Sequence, residues 1–154
     1  MHPLQQRAEA CGTPLVDDDI ATFVWGGNDP PHLTGEFTGW SEGTLPGWTK
    51  ADEALYFITH RFPTDAYVEY AFLPDLDDET RVPDPYNSRT VPNGVGQINH
   101  YFTMPERPAN PLIERAKGVP AGKLIRRRIE NDWLLTGGKR WLTLYRPATS
   151  EPTP

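Results

Sequence analysis

Alternation of apolar and polar positions, broken at short intervals by turn residues, is the dominant pattern of this chain. Ile20-Ala21-Thr22-Phe23-Val24-Trp25 is rich in β-branched and aromatic types and is closed by Gly26-Gly27-Asn28-Asp29-Pro30-Pro31, which predicts a strand and a turn. Residues 32–37 form the next predicted strand, followed by a loop over 39–52 that carries Trp40 and Trp48 among Gly, Ser, Pro and Thr. A strand is expected over 55–62, and Pro63-Thr64-Asp65 turns the chain into Tyr67-Val68-Glu69-Tyr70-Ala71-Phe72-Leu73. On that strand the period of two places Val68, Tyr70 and Phe72 on one face, the expected core face. Asp84-Pro85-Tyr86-Asn87 reads as a rigid turn, and residues 97–104 as the last strand of the module.

Helical signal is confined to residues 4–10, which end at Gly12, a residue suited to the left-handed conformation past a helix end; Pro14 prevents continuation. Residues 105–121, with Pro105, Pro108, Pro111 and Pro120, read as a linker with at most one helical turn over 112–116. Residues 123–130 and 139–145 then predict a hairpin joined through Gly137-Gly138. The expected fold is all-β: an antiparallel immunoglobulin-like β-sandwich with a short N-terminal helix and a C-terminal hairpin. Its divisions are an N-terminal extension (1–18), the sandwich (19–105), a Pro-rich linker (106–121), the hairpin segment (122–148) and a tail (149–154).

Composition agrees with a turn-rich β protein. The 17 Pro and 13 Gly disfavour helix interiors, and mean hydropathy is −0.60. Six Phe, six Tyr and five Trp supply enough aromatic surface to offset the entropy of ordering the chain. A net charge of −6 argues against a nucleic-acid partner, which needs a basic face to neutralise phosphate. The one dense basic run, Arg126-Arg127-Arg128, alternates between the faces of an extended strand and cannot act as a single clamp. Cys11 is the only cysteine, so no internal disulfide forms and a free thiol is expected. No apolar run approaches the roughly 18 residues that span a bilayer, and the N-terminus lacks the apolar region of a secretion signal. A cytoplasmic location and no membrane partner are expected.

Gly35-Glu36-Phe37-Thr38-Gly39-Trp40, Tyr70-Ala71-Phe72, Asp84-Pro85 and Gly96-Gln97-Ile98-Asn99 resemble the early-set immunoglobulin-like domains. That group includes glycogen-binding modules and the N-terminal domain of enterochelin-esterase-like hydrolases. The resemblance covers about residues 19–105, and the G-x-F-x-x-W turn is its most specific part. The esterase branch is favoured because Asp84-Pro85-Tyr86-Asn87 resembles the D-P-x-N turn of those domains. Arg140 with Tyr145-Arg146-Pro147 resembles the R-x-x-x-x-Y-x-P ending of the hairpin that opens the esterase domain. The sequence stops at Pro154, where such a hydrolase core would be expected to begin.

Catalysis by this chain is not expected. An esterase of that type needs a serine at a G-x-S-x-G elbow with a histidine and a carboxylate. No such elbow occurs; Ser41, Ser88 and Ser150 fall in predicted loops or the tail, and His60 and His100 fall in predicted strands as packed or solvent-facing rings. Asp75, Asp77, Asp78 and Glu79 lack the glycine and glutamate spacing of a calcium loop and read as a solvated acidic turn, so neither a metal nor a cofactor is expected.

The residues expected to matter are Trp40 and Trp48 on the aromatic loop, Tyr86 and Asn87 on the rigid turn, and Asn99. The resemblance implies that Trp40 stands at the first tryptophan, and Asn99 at an asparagine, of the glycogen-binding pattern. Ala71 replaces its lysine, and Trp48 could supply the second indole only if its loop folds back towards Trp40. An exposed Trp40 platform is the expectation. The first functional expectation is a non-catalytic N-terminal accessory domain of a serine hydrolase, supporting an α/β-hydrolase domain downstream or in trans and shaping access of its substrate, a siderophore or sugar ester. A carbohydrate-binding module stacking sugar on Trp40 is the alternative. A protein-interaction or homodimerisation domain using a sheet edge or the terminal hairpin is the third.

Overall fold

A β-branched or aromatic residue at every second position needs a partner layer on each apolar face, and two four-stranded antiparallel sheets supply it. The computed structural model describes residues 1–40, 45, 47–75, 80–114, 117–131, 133 and 137–148. These divide into two units, Met1–Ala109 and Asn110–Pro154.

In the first unit, α1 (Pro3–Cys11) leads into β1 (Leu15–Asp17) and β2 (Ile20–Gly26). β3 (His32–Gly35) runs into a 3-10 turn at Glu36–Thr38. There follow β4 (Thr49–Asp52), β5 (Leu55–Arg61), β6 (Tyr67–Leu73), β7 (Thr90–Pro92) and β8 (Ile98–Thr103). One sheet has the order β1-β2-β5-β4 and the other β3-β6-β8-β7. The fold is an all-β, immunoglobulin-like sandwich. Pro92 sits in β7 at a sheet edge, where a missing ladder donor costs least.

The inner faces enclose Ala21, Phe23, Leu33, Ile58, Phe62, Val68, Tyr70, Phe72, Phe102 and Met104. Val68, Tyr70 and Phe72 thus occupy the core face that their period predicted. Phe23 packs edge-on against Tyr70 (5.0 Å) and Phe102 (5.7 Å), the offset geometry that ring quadrupoles favour. The opposite side of β2 is also covered: Val24 and Leu55 pack with Ala8 of α1 and Leu15 of β1. Residues 1–18 are therefore part of the sandwich unit, with the His2 ring accepting the Leu4 N–H at the start of α1 and Gly12 at φ +80° ending it.

Three strands depart from the sequence expectation. β1, β4 and β7 are three or four residues long and form by pairing with β2, β5 and β8. So short a segment carries too few positions for a period to register. β3 also stops at Gly35, two residues early, because the chain tightens into the 3-10 turn.

In the second unit, β9 (Lys123–Glu130) and β10 (Lys139–Arg146) pair along their full length, from Lys139 opposite Glu130 to Arg146 opposite Lys123. The register places Ile125, Ile129, Leu142 and Leu144 on one face and Leu124, Trp141 and Tyr145 on the other. The three arginines are split as expected: Arg127 lies on the Leu142 face, while on the other face the Arg126 guanidinium lies 4.5 Å from the Trp141 ring centroid and Arg128 pairs with Glu130 at 3.1 Å. Residues 111–113 form a turn; Arg115 and Ala116, where part of a helical turn was expected, lie outside the described residues. No helix among the described residues is long and apolar enough to cross a membrane.

Candidate functional site

The turn after β3 is shaped by a close approach that only glycine permits. A Cβ on Gly35 would meet the Glu69 carbonyl oxygen and the Phe37 ring, each at 2.6 Å. The Thr38 hydroxyl lies 3.1 Å from the Gly35 N–H and 3.0 Å from its carbonyl, and the Trp40 N–H closes the turn onto that same carbonyl at 3.0 Å. Gly39 takes φ +66° and Trp40 itself φ +62°. A left-handed backbone is uncommon for a bulky residue and must be held by its surroundings. Thr34 holds it, donating its hydroxyl to the Trp40 carbonyl at 2.6 Å.

Trp40 is not the open platform expected from sequence. Its indole is half-buried, and the Arg81 guanidinium carbon lies 5.3 Å from the ring centroid, a cation–π arrangement. Trp48 does not fold back to join it. Its ring packs on the inter-sheet core, 5.9 Å from Phe72, and its N–H donates to the Pro31 carbonyl at 2.7 Å. A half-buried indole with its only donor satisfied by backbone is a structural residue. Asn99 lies on the face of β8 opposite the core-facing His100 and Phe102, buried, and donates to Glu69 Oε2 at 2.6 Å.

Tyr86 and Asn87 belong to a buried polar network centred on Asp84. The Asp84 carboxylate accepts from the Thr13 hydroxyl (3.0 and 2.9 Å), the Tyr70 hydroxyl (2.6 Å) and the Tyr86 N–H (2.8 Å), while the Asp84 N–H donates to His100 Nε2 at 2.9 Å. Asn87 Nδ2 donates to the Tyr70 hydroxyl (2.9 Å) and the Tyr101 carbonyl (3.1 Å). Its oxygen accepts the Arg89 N–H at 2.9 Å. Thr13 N–H donates to the Tyr86 carbonyl at 3.1 Å, and the Tyr86 side chain packs on the α1 cluster. Every buried member of such a network needs its partners, because desolvation makes an unmade bond expensive. The rigid turn thereby locks the chain between β6 and β8 to the segment after α1. In this arrangement Asn87 is structural, with its amide spent on protein groups.

Burial raises the Tyr70 hydroxyl well above its ordinary value of 10.0, and the Asp84 carboxylate beside it pushes the same way; the Asn87 donor opposes both. Tyr67 and Tyr86 are raised as well, chiefly by burial. A group whose folded value lies above its unfolded value stabilises the fold fully below the unfolded value, and that contribution is lost as pH rises through the folded value. Stability should therefore fall as pH climbs above about 10. Denaturation midpoints taken between about pH 8 and about pH 11 check this. Tyr70→Phe should flatten the slope, leaving the part due to Tyr67 and Tyr86; an unchanged slope would contradict this account.

The other sequence candidates are dispersed. His60 packs on Phe62 (4.8 Å) and Phe37 (5.6 Å), and Cys11 is exposed with a free thiol. Asp77, Asp78, Glu79, Ser41 and Ser150 lie outside the described residues. Among the described residues no cluster of His, Cys, Asp or Glu has the make-up of a metal site. Arg81 and the centrality of Asp84 were missed from sequence. The Val82 bridge to Phe72 sets Arg81 beside the sheet, and no local pattern announces a one-residue bridge. No protein-family model matches this chain, and no curated protein is detectably similar to it.

Proposed function

We propose that this chain is the non-catalytic N-terminal part of an enterochelin-esterase-like serine hydrolase, supporting an α/β-hydrolase domain and shaping access of its ester substrate. The observation that carries the reading is the β9–β10 hairpin. A two-stranded sheet is marginal alone, and this one has apolar residues on both faces, with Leu124, Trp141, Leu142, Leu144 and Tyr145 all exposed. The face bearing Ile125, Ile129, Leu142 and Leu144 suits a further layer, and the strand edges suit further strands. Arg140 and Tyr145-Arg146-Pro147, along β10 and just past its end, resemble the ending of the hairpin that opens the esterase domain in that family.

The test is made on the endogenous polypeptide that carries this sequence, by intact mass and fluorophosphonate labelling. A product well above 17.4 kDa with a reactive serine is the expected result. A polypeptide of 17.4 kDa that does not label would remove the hydrolase reading.

The carbohydrate-binding alternative has less in its favour. It needs two open indoles, whereas Trp48 lies on the core and Arg81 lies over Trp40.

A further inference from the structure

Charge is divided unevenly between the two units. Residues 110–154 carry nine Lys and Arg against four Asp and Glu, whereas residues 1–109 carry six against seventeen. Most of the cations of the second unit stand on the hairpin: seven in β9 and β10, against the single carboxylate of Glu130. A field of this kind draws the hairpin, and not the sandwich, towards negative charge.

The register sorts these residues by face. Arg126, Arg128 and Lys139 share one face with Leu124, Trp141 and Tyr145, while Lys123, Arg127, Arg140 and Arg146 share the other with the apolar group around Leu142 and Leu144. The Leu142 face suits a covering layer, which leaves the first face open. Leu124, Trp141 and Tyr145 are exposed on it, and Trp133, in the connection between the strands, is 96% exposed. The exposed Arg126 lies over the Trp141 ring, and a cation–π contact supplies no acceptor for its five N–H donors. Arg128 gives its Nε to Glu130 in an exposed pair, a weak bond that phosphate oxygens can replace.

The occupant has to satisfy cations and apolar groups together. The sandwich of a second copy is acidic, but among its described residues the exposed large apolar ones are Met1, Val95 and Ile98, which give two rings and a leucine little to pack on. A nucleic acid offers phosphates and base planes and no apolar medium for Leu124. An anionic bilayer surface offers phosphates and, just beneath them, a boundary where Trp and Tyr sit and Leu is buried. The lack of a spanning helix among the described residues bears on crossing a bilayer, not on lying against one.

We propose that the Leu124, Trp141 and Tyr145 face of the hairpin, with Trp133, lies against an anionic lipid surface, its rings at the headgroup level and Arg126, Arg128 and Lys139 on the phosphates. The inference does not rest on the hydrolase reading. It uses the face that reading leaves open, and its test needs no reactive serine.

The full chain is sedimented with vesicles of phosphatidylcholine, alone or with about one part in three of phosphatidylglycerol. The expected result is binding to the anionic vesicles only, weakening as salt rises from about 0.1 to about 0.5 M. Arg126→Gln with Arg128→Gln should weaken binding by about twentyfold or more, at roughly fivefold per cation. Arg127→Gln with Arg140→Gln removes the same charge from the other face and should cost about fivefold or less. Trp133→Ser should cost about tenfold. All five positions are exposed, so the hairpin amides should keep their shifts, and Trp133→Ser carries the test if an arginine pair disturbs them. Equal binding to neutral vesicles, binding to neither, equal losses for the two arginine pairs, or full affinity in Trp133→Ser would each overturn the proposal. Binding to a single-stranded oligonucleotide without binding to anionic vesicles would overturn it too, and make the occupant a nucleic acid.

Discussion

Asp84→Ala should destabilise the sandwich by about 3–5 kcal/mol, a large share of the roughly 5–15 kcal/mol that holds a domain of this kind folded. The side chain is 5% exposed and accepts from Thr13, Tyr70 and the Tyr86 N–H. Alanine leaves the buried Thr13 and Tyr70 hydroxyls and the part-buried Tyr86 N–H without their acceptor. Asp84→Asn should cost less, since its oxygen still accepts, although its NH2 then points at donors. Denaturant unfolding followed by tryptophan fluorescence and far-UV circular dichroism measures both. A loss below about 1 kcal/mol for Asp84→Ala would mean that the network is not a structural hub.

Phe23→Ala is the second large effect, also about 3–5 kcal/mol. Phe23 is fully buried on β2 and reaches across the sandwich to Tyr70 on β6 and Phe102 on β8, so it joins the two sheets. Truncation removes three ring contacts, counting Phe37 at 6.2 Å, and leaves a void that rigid sheets cannot collapse around. Val95→Ala, at an 83% exposed position of the same unit, should change stability by no more than about 0.5 kcal/mol. Comparable losses at the two positions would argue against this core.

The aromatic turn shows where reading the chain succeeds and where it stops. A tight turn before Trp40 was legible from its flanking glycines, although the strand was carried to residue 37, two residues too far. The surroundings of Trp40 were not local. Arg81 arrives over the indole after forty further residues of chain, brought there by the Val82–Phe72 bridge. The loop of Trp48 looked polar and open, yet the ring found the core because Phe72 and the Pro31 carbonyl offered it both contact and an acceptor.

By itself the sequence determined the long strands, the inward face of β6, the helix end at Gly12 and the terminal hairpin. Each is written in the spacing of neighbouring residues, where period and turn chemistry act over a few positions. Tertiary structure alone decided the short strands β1, β4 and β7, the approach of Arg81 to Trp40, the packing of Trp48 on the core and the gathering of donors around Asp84. Thr13 and Asp84 meet across 71 positions of chain, and a contact of that span depends on how the sheets stack rather than on any local pattern.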